Sequence, residues 1–258
     1  MQIQEASAMA GHSHWAGIKH KKAAIDAKRG KLFSKLAKHI TSAARQGGGD
    51  IDTNLKLKYA IDKAKAANMP KDNIERAVKK GTGELGGGDF DEVSYEGYGP
   101  GGVAIYIEAM TDNRNRTASE IRHIFDKRGG NMGESGCVAW MFEKRAIFHV
   151  AAELSDEETL MDVAMEAGAD DMTTHEGYFE IVGEPTEYDT IRRALEGKEI
   201  EPRLAEITFL PKNTVELDKV NGKKVLQLLE DFEDQEDVQN AYANFDIPEE
   251  VMAELEES

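Results

Sequence analysis

The chain has a single cysteine, Cys137, among 258 residues. One thiol cannot close an internal disulfide or supply a multi-cysteine zinc site, a usage that fits a reducing cytoplasm; its expected place is that of a small buried apolar group. Long apolar runs are also missing. No stretch approaches the roughly 20 residues needed to cross a bilayer, so no membrane partner is expected. The glycine-rich run Gly97–Gly102 lacks the Gly-Lys-Ser/Thr ending of a phosphate loop and reads as a tight turn. His12, His14 and His20 stand among lysines that repel a cation, with no carboxylate or cysteine cluster beside them, so no metal and no cofactor is expected. Ser13 has histidines as neighbours but no third activating group, and no catalytic residue is assigned: the expectation is a protein that is not an enzyme.

What is present is a strong division of charge. Residues 1–83 hold 17 Lys and Arg against 7 Asp and Glu, a net of +10, while residues 84–258 hold 15 against 42, a net of −27. A compact positive segment concentrates polyanions locally even when the rest of the molecule repels them. The overall charge of −17 therefore hides a basic module, and nucleic acid is the partner it fits.

The pattern from Ile18 to Gly83 is helical. Between Lys31 and Arg45, Leu32, Phe33, Leu36, Ile40 and Ala43 recur at helical spacing, and Lys31, Lys35 and Lys38 fall together on another face. Gly47-Gly48-Gly49 ends this helix, and Asp52 and Thr53 offer caps for a second one from about Asn54 to Asn68. Pro70 precedes a third, roughly Lys71 to Lys80, which Gly81 is expected to close as a left-handed cap. Beyond Tyr95 short strands and helices alternate: strands near Val103–Ala109, Val138–Val150, Tyr178–Val182, Ala205–Leu210, Thr214–Leu217 and Val238–Asn244, with helices at Asn115–Arg128, Asp156–Ala167, Glu187–Leu195 and Lys223–Phe232. The fold class expected is α+β and multidomain, a helical bundle followed by two small α/β sandwiches of split βαβ topology, one inserted in the other.

The domain boundaries follow the loops. Residues 1–10 lack the basic start and apolar centre of a secretory signal and read as a tag or alternative start; 11–83 form the basic helical domain. The glycine cluster Gly81–Gly88 is a linker. Residues 84–133 with 211–246 make a discontinuous α+β domain, 134–210 the inserted one, and 247–258 an acidic tail.

Candidate nucleic-acid contacts cluster near the start. His12, His14, Trp15, Lys19, His20, Lys21, Lys22, Lys28, Arg29, Lys31, Lys35 and Lys38 combine cations for phosphate with rings that stack on exposed bases. Further along, Asp112 or Asn113 caps the following helix and leaves Arg114 and Arg116 as forks for phosphate or carboxylate.

The same residues carry a resemblance. Gly11-His12-Ser13-x-Trp15, Lys19-His20-Lys21-Lys22 and Lys28-Arg29-Gly30-Lys31 resemble the N-terminal signature of the YebC/PmpR family, whose mitochondrial members act as translational activators of cytochrome c oxidase. Asn68–Ala77 (NMPKDNIERA), Tyr95–Ala104 (YEGYGPGGVA) and Thr111–Thr117 (TDNRNRT) are similar to three further blocks of that family, in the same order. His14 stands where lysine is commoner and Cys137 where serine is common. The resemblance implies a cytoplasmic, non-catalytic protein of three domains. It also implies one of two roles: a DNA-binding transcriptional regulator at promoters, or a ribosome-associated translation factor that binds ribosomal RNA and relieves stalling at proline-rich stretches. The acidic lobes suit a further contact, with the ribosome or another basic protein.

Overall fold

The computed structural model describes the backbone of residues 26–86, 90–248 and 250–252, and their side chains from residue 29 onward. Its first unit is a three-helix bundle: α1 (Asp26–Gly47), α2 (Leu55–Ala66) and α3 (Lys71–Gly81). Leu36, Ile40 and Ala43 of α1 meet Leu57, Ile61 and Ala64 of α2 and Ile74 and Ala77 of α3 in one apolar cluster. Phe33 packs at its edge, whereas Leu32 turns outward and is 44% exposed, so the apolar stripe of α1 is narrower than its sequence suggests.

Two end signals differ from expectation for a local reason. The α2 cap is Asn54 rather than Asp52 or Thr53: its side-chain oxygen accepts the Leu57 N–H at 3.1 Å while its amide donates to the Ala43 and Gly48 carbonyls. Only an amide both accepts and donates in this way, so Asn54 ties the start of α2 to the end of α1. Gly81 lies within α3 and is buried, because a Cβ there would stand 2.4 Å from the Thr41 carbonyl oxygen. Close helix packing, not a left-handed turn, requires glycine; the positive φ (87°) falls two residues later at Gly83.

The second unit is built on a four-stranded sheet from β1 (Asp91–Tyr98), β2 (Ala104–Thr111), β3 (Asn131–Met132) and β9 (Val238–Ala243), in the order β3-β1-β2-β9. Helices α4 (Arg114–Lys127) and α7 (Lys219–Asp234) cover one face. There Ile105 and Ile107 pack against Ile121, Phe125, Leu228 and Phe232, and the two phenylalanine rings meet edge to face at 4.8 Å. Each such fully buried side chain contributes about 1.5–3 kcal/mol. A short parallel pair, β8 (Val215–Glu216) with β10 (Phe245–Asp246), closes this unit.

The third unit runs β4 (Phe142–Ala151), α5 (Glu157–Glu166), β5 (Ala169–His175), β6 (Tyr178–Gly183), α6 (Tyr188–Gly197) and β7 (Leu204–Pro211). Its antiparallel sheet has the order β5-β6-β4-β7, a split βαβ arrangement. It is inserted between β3 and β8 of the second unit, so the α+β multidomain class with one sandwich inside the other is observed. An aromatic cluster, Tyr106 and Tyr242 on one sheet with Phe209 on the other at 5.1 and 5.3 Å, joins the two sheets.

Four strands were not legible in advance, the two-residue β3 and β10 and the longer β1 and β5. β1 reads DEVSYEGY, and β5 reads ADDMTTH; both are polar segments that pair at or beside a sheet edge and need little apolar content. Residues 138–141, expected as strand, form a tight turn and 3₁₀ element before β4. The reason is Glu96 of β1, which is buried and accepts the backbone N–H groups of Gly136, Val138 and Ala139 at 2.6, 2.7 and 2.7 Å. Cys137, in the same turn, is half-buried rather than buried, and desolvation followed by the nearby Glu96 charge pushes its thiol pKa up.

Candidate nucleic-acid interface

Helix α1 places five of its polar residues on a single line. Lys31, Lys35, Lys38, Ser42 and Gln46 recur every three or four positions, and all five meet the second unit. Lys31 Nζ lies 3.1 Å from Asp234 Oδ1, Lys35 Nζ donates to the Glu233 carbonyl at 2.8 Å, and Ser42 and Gln46 donate to Glu92 Oε1 at 3.2 and 3.3 Å. Lys38 keeps only 13% of its side chain exposed. Its ammonium donates to Asp237 Oδ1 at 2.7 Å, to the Glu236 carbonyl at 2.9 Å and to the Met110 carbonyl at 3.4 Å, and it lies over the Phe90 ring.

Asp237 is the hub of this seam. Its second oxygen accepts from Arg116 Nη2 at 2.8 Å and from Thr117 Oγ1 at 2.7 Å. Burial opposes the ionised form, but the bonds from Lys38, Arg116 and Thr117 outweigh it and hold the carboxyl far below the usual range. Asn113 caps α4, its side chain accepting the Arg116 N–H at 3.1 Å. Neither candidate arginine in the first turn of that helix is an unpaired fork: Arg114 Nε lies 2.7 Å from Asp91, and Arg116 also reaches Asp112 at 2.9 Å. These bonds raise both guanidinium pKa values.

Of the remaining sequence candidates, His12, His14, Trp15, Lys19, His20, Lys21 and Lys22 lie outside the described residues, as does the side chain of Lys28. Arg29 is exposed on α1. The lysine row of α1 and the arginines Arg114 and Arg116 of α4 are thus brought together, but around acidic residues of the second unit. A second set of cations points to solvent: Lys58, Lys63, Lys65, Lys71, Arg76 and Lys79 on α2 and α3 are all exposed. Sequence reasoning passed over them because they are spread along two helices without an aromatic or a dense run. The available signal was compositional, since residues 54–80 hold eight Lys and Arg against three Asp and Glu.

The bundle also touches the inserted unit, Tyr59 OH donating to Asp189 Oδ2 at 2.6 Å. His39 of α1 is half-buried. Its pKa is lowered to about 4, first by desolvation and then by Lys63, against the raising influence of Glu108 and Glu92. A histidine held neutral in the folded arrangement and free to protonate outside it makes that arrangement weaker as pH falls. From pH 6.5 down to about 4 the linkage amounts to about 3 kcal/mol, since one pKa unit is worth about 1.4 kcal/mol. We expect the melting temperature to rise with pH across this window, and His39→Gln to flatten that part of the profile in a calorimetric series; an unchanged slope in the variant would refute the assignment.

The described geometry, a basic helical bundle seated on two acidic α+β units, matches known proteins along nearly its whole length. A model of the TACO1/YebC N-terminal domain matches residues 13–84, and one of the TACO1/YebC second and third domain matches residues 90–245. The chain belongs to the TACO1/YebC family. Among its relatives, a "probable transcriptional regulatory protein" of Natranaerobius thermophilus is 57% identical over 247 residues, covering 95% of this chain and 99% of that one. Another of the same description, from Halothermothrix orenii, is 56% identical over 252 residues, with coverage of 96% and 100%. The crystal structure of the conserved hypothetical protein Aq1575 from Aquifex aeolicus superposes with a TM-score of 0.81 at 50% identity, covering 92% of this chain and 98% of that one. Among the described residues of this TACO1/YebC chain, no helix is long and apolar enough to cross a membrane.

Proposed function

We propose that this chain is a non-enzymatic regulator of gene expression that binds promoter DNA through its basic N-terminal segment and the outward cations of α2 and α3. One observation carries the reading: net positive charge is confined to the helical bundle and the segment before it, while the α+β units that support it are acidic overall. Such a molecule meets a polyanion in one orientation only, with the acidic units held away from it. The names of the two relatives as transcriptional regulatory proteins favour DNA over RNA.

Lys58, Arg76 and Lys79 are exposed and take no part in the seam, so their joint replacement by glutamate tests the surface without disturbing the fold. We expect that variant to bind a DNA duplex more weakly and with a shallower dependence on salt, each phosphate contact contributing about one unit to the slope. Crosslinking in growing cells followed by sequencing tests the target itself. Recovery of a few promoter loci supports the reading, whereas recovery of a discrete ribosomal RNA site would replace it with a role in translation.

A further inference from the structure

We propose that the acidic turn 233–237 occupies the lysine row of α1 as an internal substitute for a phosphodiester backbone, so that nucleic acid and this turn compete for the same cations. The inference rests on the nucleic-acid reading above and adds to it a closed, autoinhibited arrangement. The turn is built to attract cations. α7 ends at Asp234 with no basic residue in its last turn; Asp231 is paired with Lys127 and Arg128 of its own unit, while Glu233 and Asp234 stand at the negative end of the helix dipole. Acidic groups and bare carbonyls at a helix C-terminus are unfavourable locally and gain from a cation supplied by another element. Lys31 and Lys35 supply it, at 3.1 Å from the Asp234 carboxylate and 2.8 Å from the Glu233 carbonyl.

Lys38 makes the competition exclusive. Its side chain retains only 13% exposure, and its ammonium is surrounded by the oxygens of Asp237, Glu236 and Met110. No phosphate reaches it until α1 separates from the second unit. Separation is reversible by construction, because Asp237 keeps its bonds to Arg116 and Thr117 within its own unit and is not left as a bare buried charge. The binding-competent fraction of molecules then scales the apparent affinity for any phosphodiester chain.

The test holds the two elements together and then releases them in the same molecule. Lys31→Cys and Asp234→Cys are introduced in a Cys137→Ser background, joined by a bismaleimide with a disulfide spacer, and the spacer is afterwards reduced. Binding of a fluorescent DNA duplex and of a fluorescent RNA hairpin is measured before and after reduction. We expect the joined form to bind about tenfold or more weakly than the released form, on whichever nucleic acid the chain prefers. Equal affinity before and after release would overturn the competition while leaving nucleic-acid binding intact. Failure of the bridge to form in the native protein would overturn the closed arrangement itself. Binding of neither probe, by the released form or by the unaltered chain, would instead remove the functional reading on which the inference depends.

Discussion

Replacing Asp237 by alanine is expected to cost about 3 kcal/mol of unfolding free energy, toward the lower end of what loss of one partner from a buried ion pair costs. The carboxylate is only 6% exposed and receives three side-chain donors, from Lys38, Arg116 and Thr117. Removing it leaves a nearly enclosed ammonium and a buried hydroxyl without their best acceptor. Two comparisons separate the parts of this effect. Asp237→Asn retains acceptor capacity for Thr117 but not the charge, and should fall between wild type and alanine. Lys38→Met should spare the second unit, whose own Arg116 and Thr117 still satisfy Asp237, and instead loosen the bundle from it. The sign with pH follows from a folded-state pKa below the ordinary 3.8: the stabilisation is present above that value and lost as pH falls through and below it. Calorimetry of the three variants near neutral pH and again in acid checks this; an alanine variant as stable as wild type at neutral pH would show that the hub contributes nothing net.

Glu96→Ala is the second large effect we expect, of about 3 kcal/mol, since an unsatisfied buried donor costs about 1–3 kcal/mol and three N–H groups, one buried and two part-buried, depend on this one side chain. Its location gives the loss a distinctive signature. Glu96 belongs to the sheet of the second unit, whereas its three partners lie in the turn that leads into the inserted unit. Hydrogen exchange should therefore accelerate in residues 133–141 while β4, β6 and β7 stay protected, because their sheet is complete without Glu96. Glu96→Gln should resemble alanine more than wild type, since an amide brings N–H donors toward backbone donors. Unaltered exchange in 133–141 would show that the turn is held by other contacts.

Much of this architecture was legible in order along the chain. The helices of the bundle declared themselves through apolar residues at helical spacing, and the inserted sandwich through alternating strands and helices bounded by glycine. The polar strands β1 and β5 were not, because an edge strand needs hydrogen-bond partners more than apolar side chains, and those partners lie far away in sequence. Glu96 was invisible for the same reason. A carboxylate in a polar strand looks solvated until a turn forty residues later folds its N–H groups around it.

The basic row of α1 shows where local reading stops. Spacing alone determines that Lys31, Lys35 and Lys38 share one face of a helix, since 3.6 residues per turn align positions three and four apart. Which anion that face meets is a matter of tertiary structure. The strongly acidic end of α7 lies some two hundred residues further on, and no periodicity connects the two segments. By itself the sequence determined the charge division, most of the element types and the family to which the chain belongs, all of which reside in composition, short-range spacing or motif order. The tertiary structure alone decided which cations are enclosed and which remain exposed, because burial and pairing depend on surfaces that distant segments bring together.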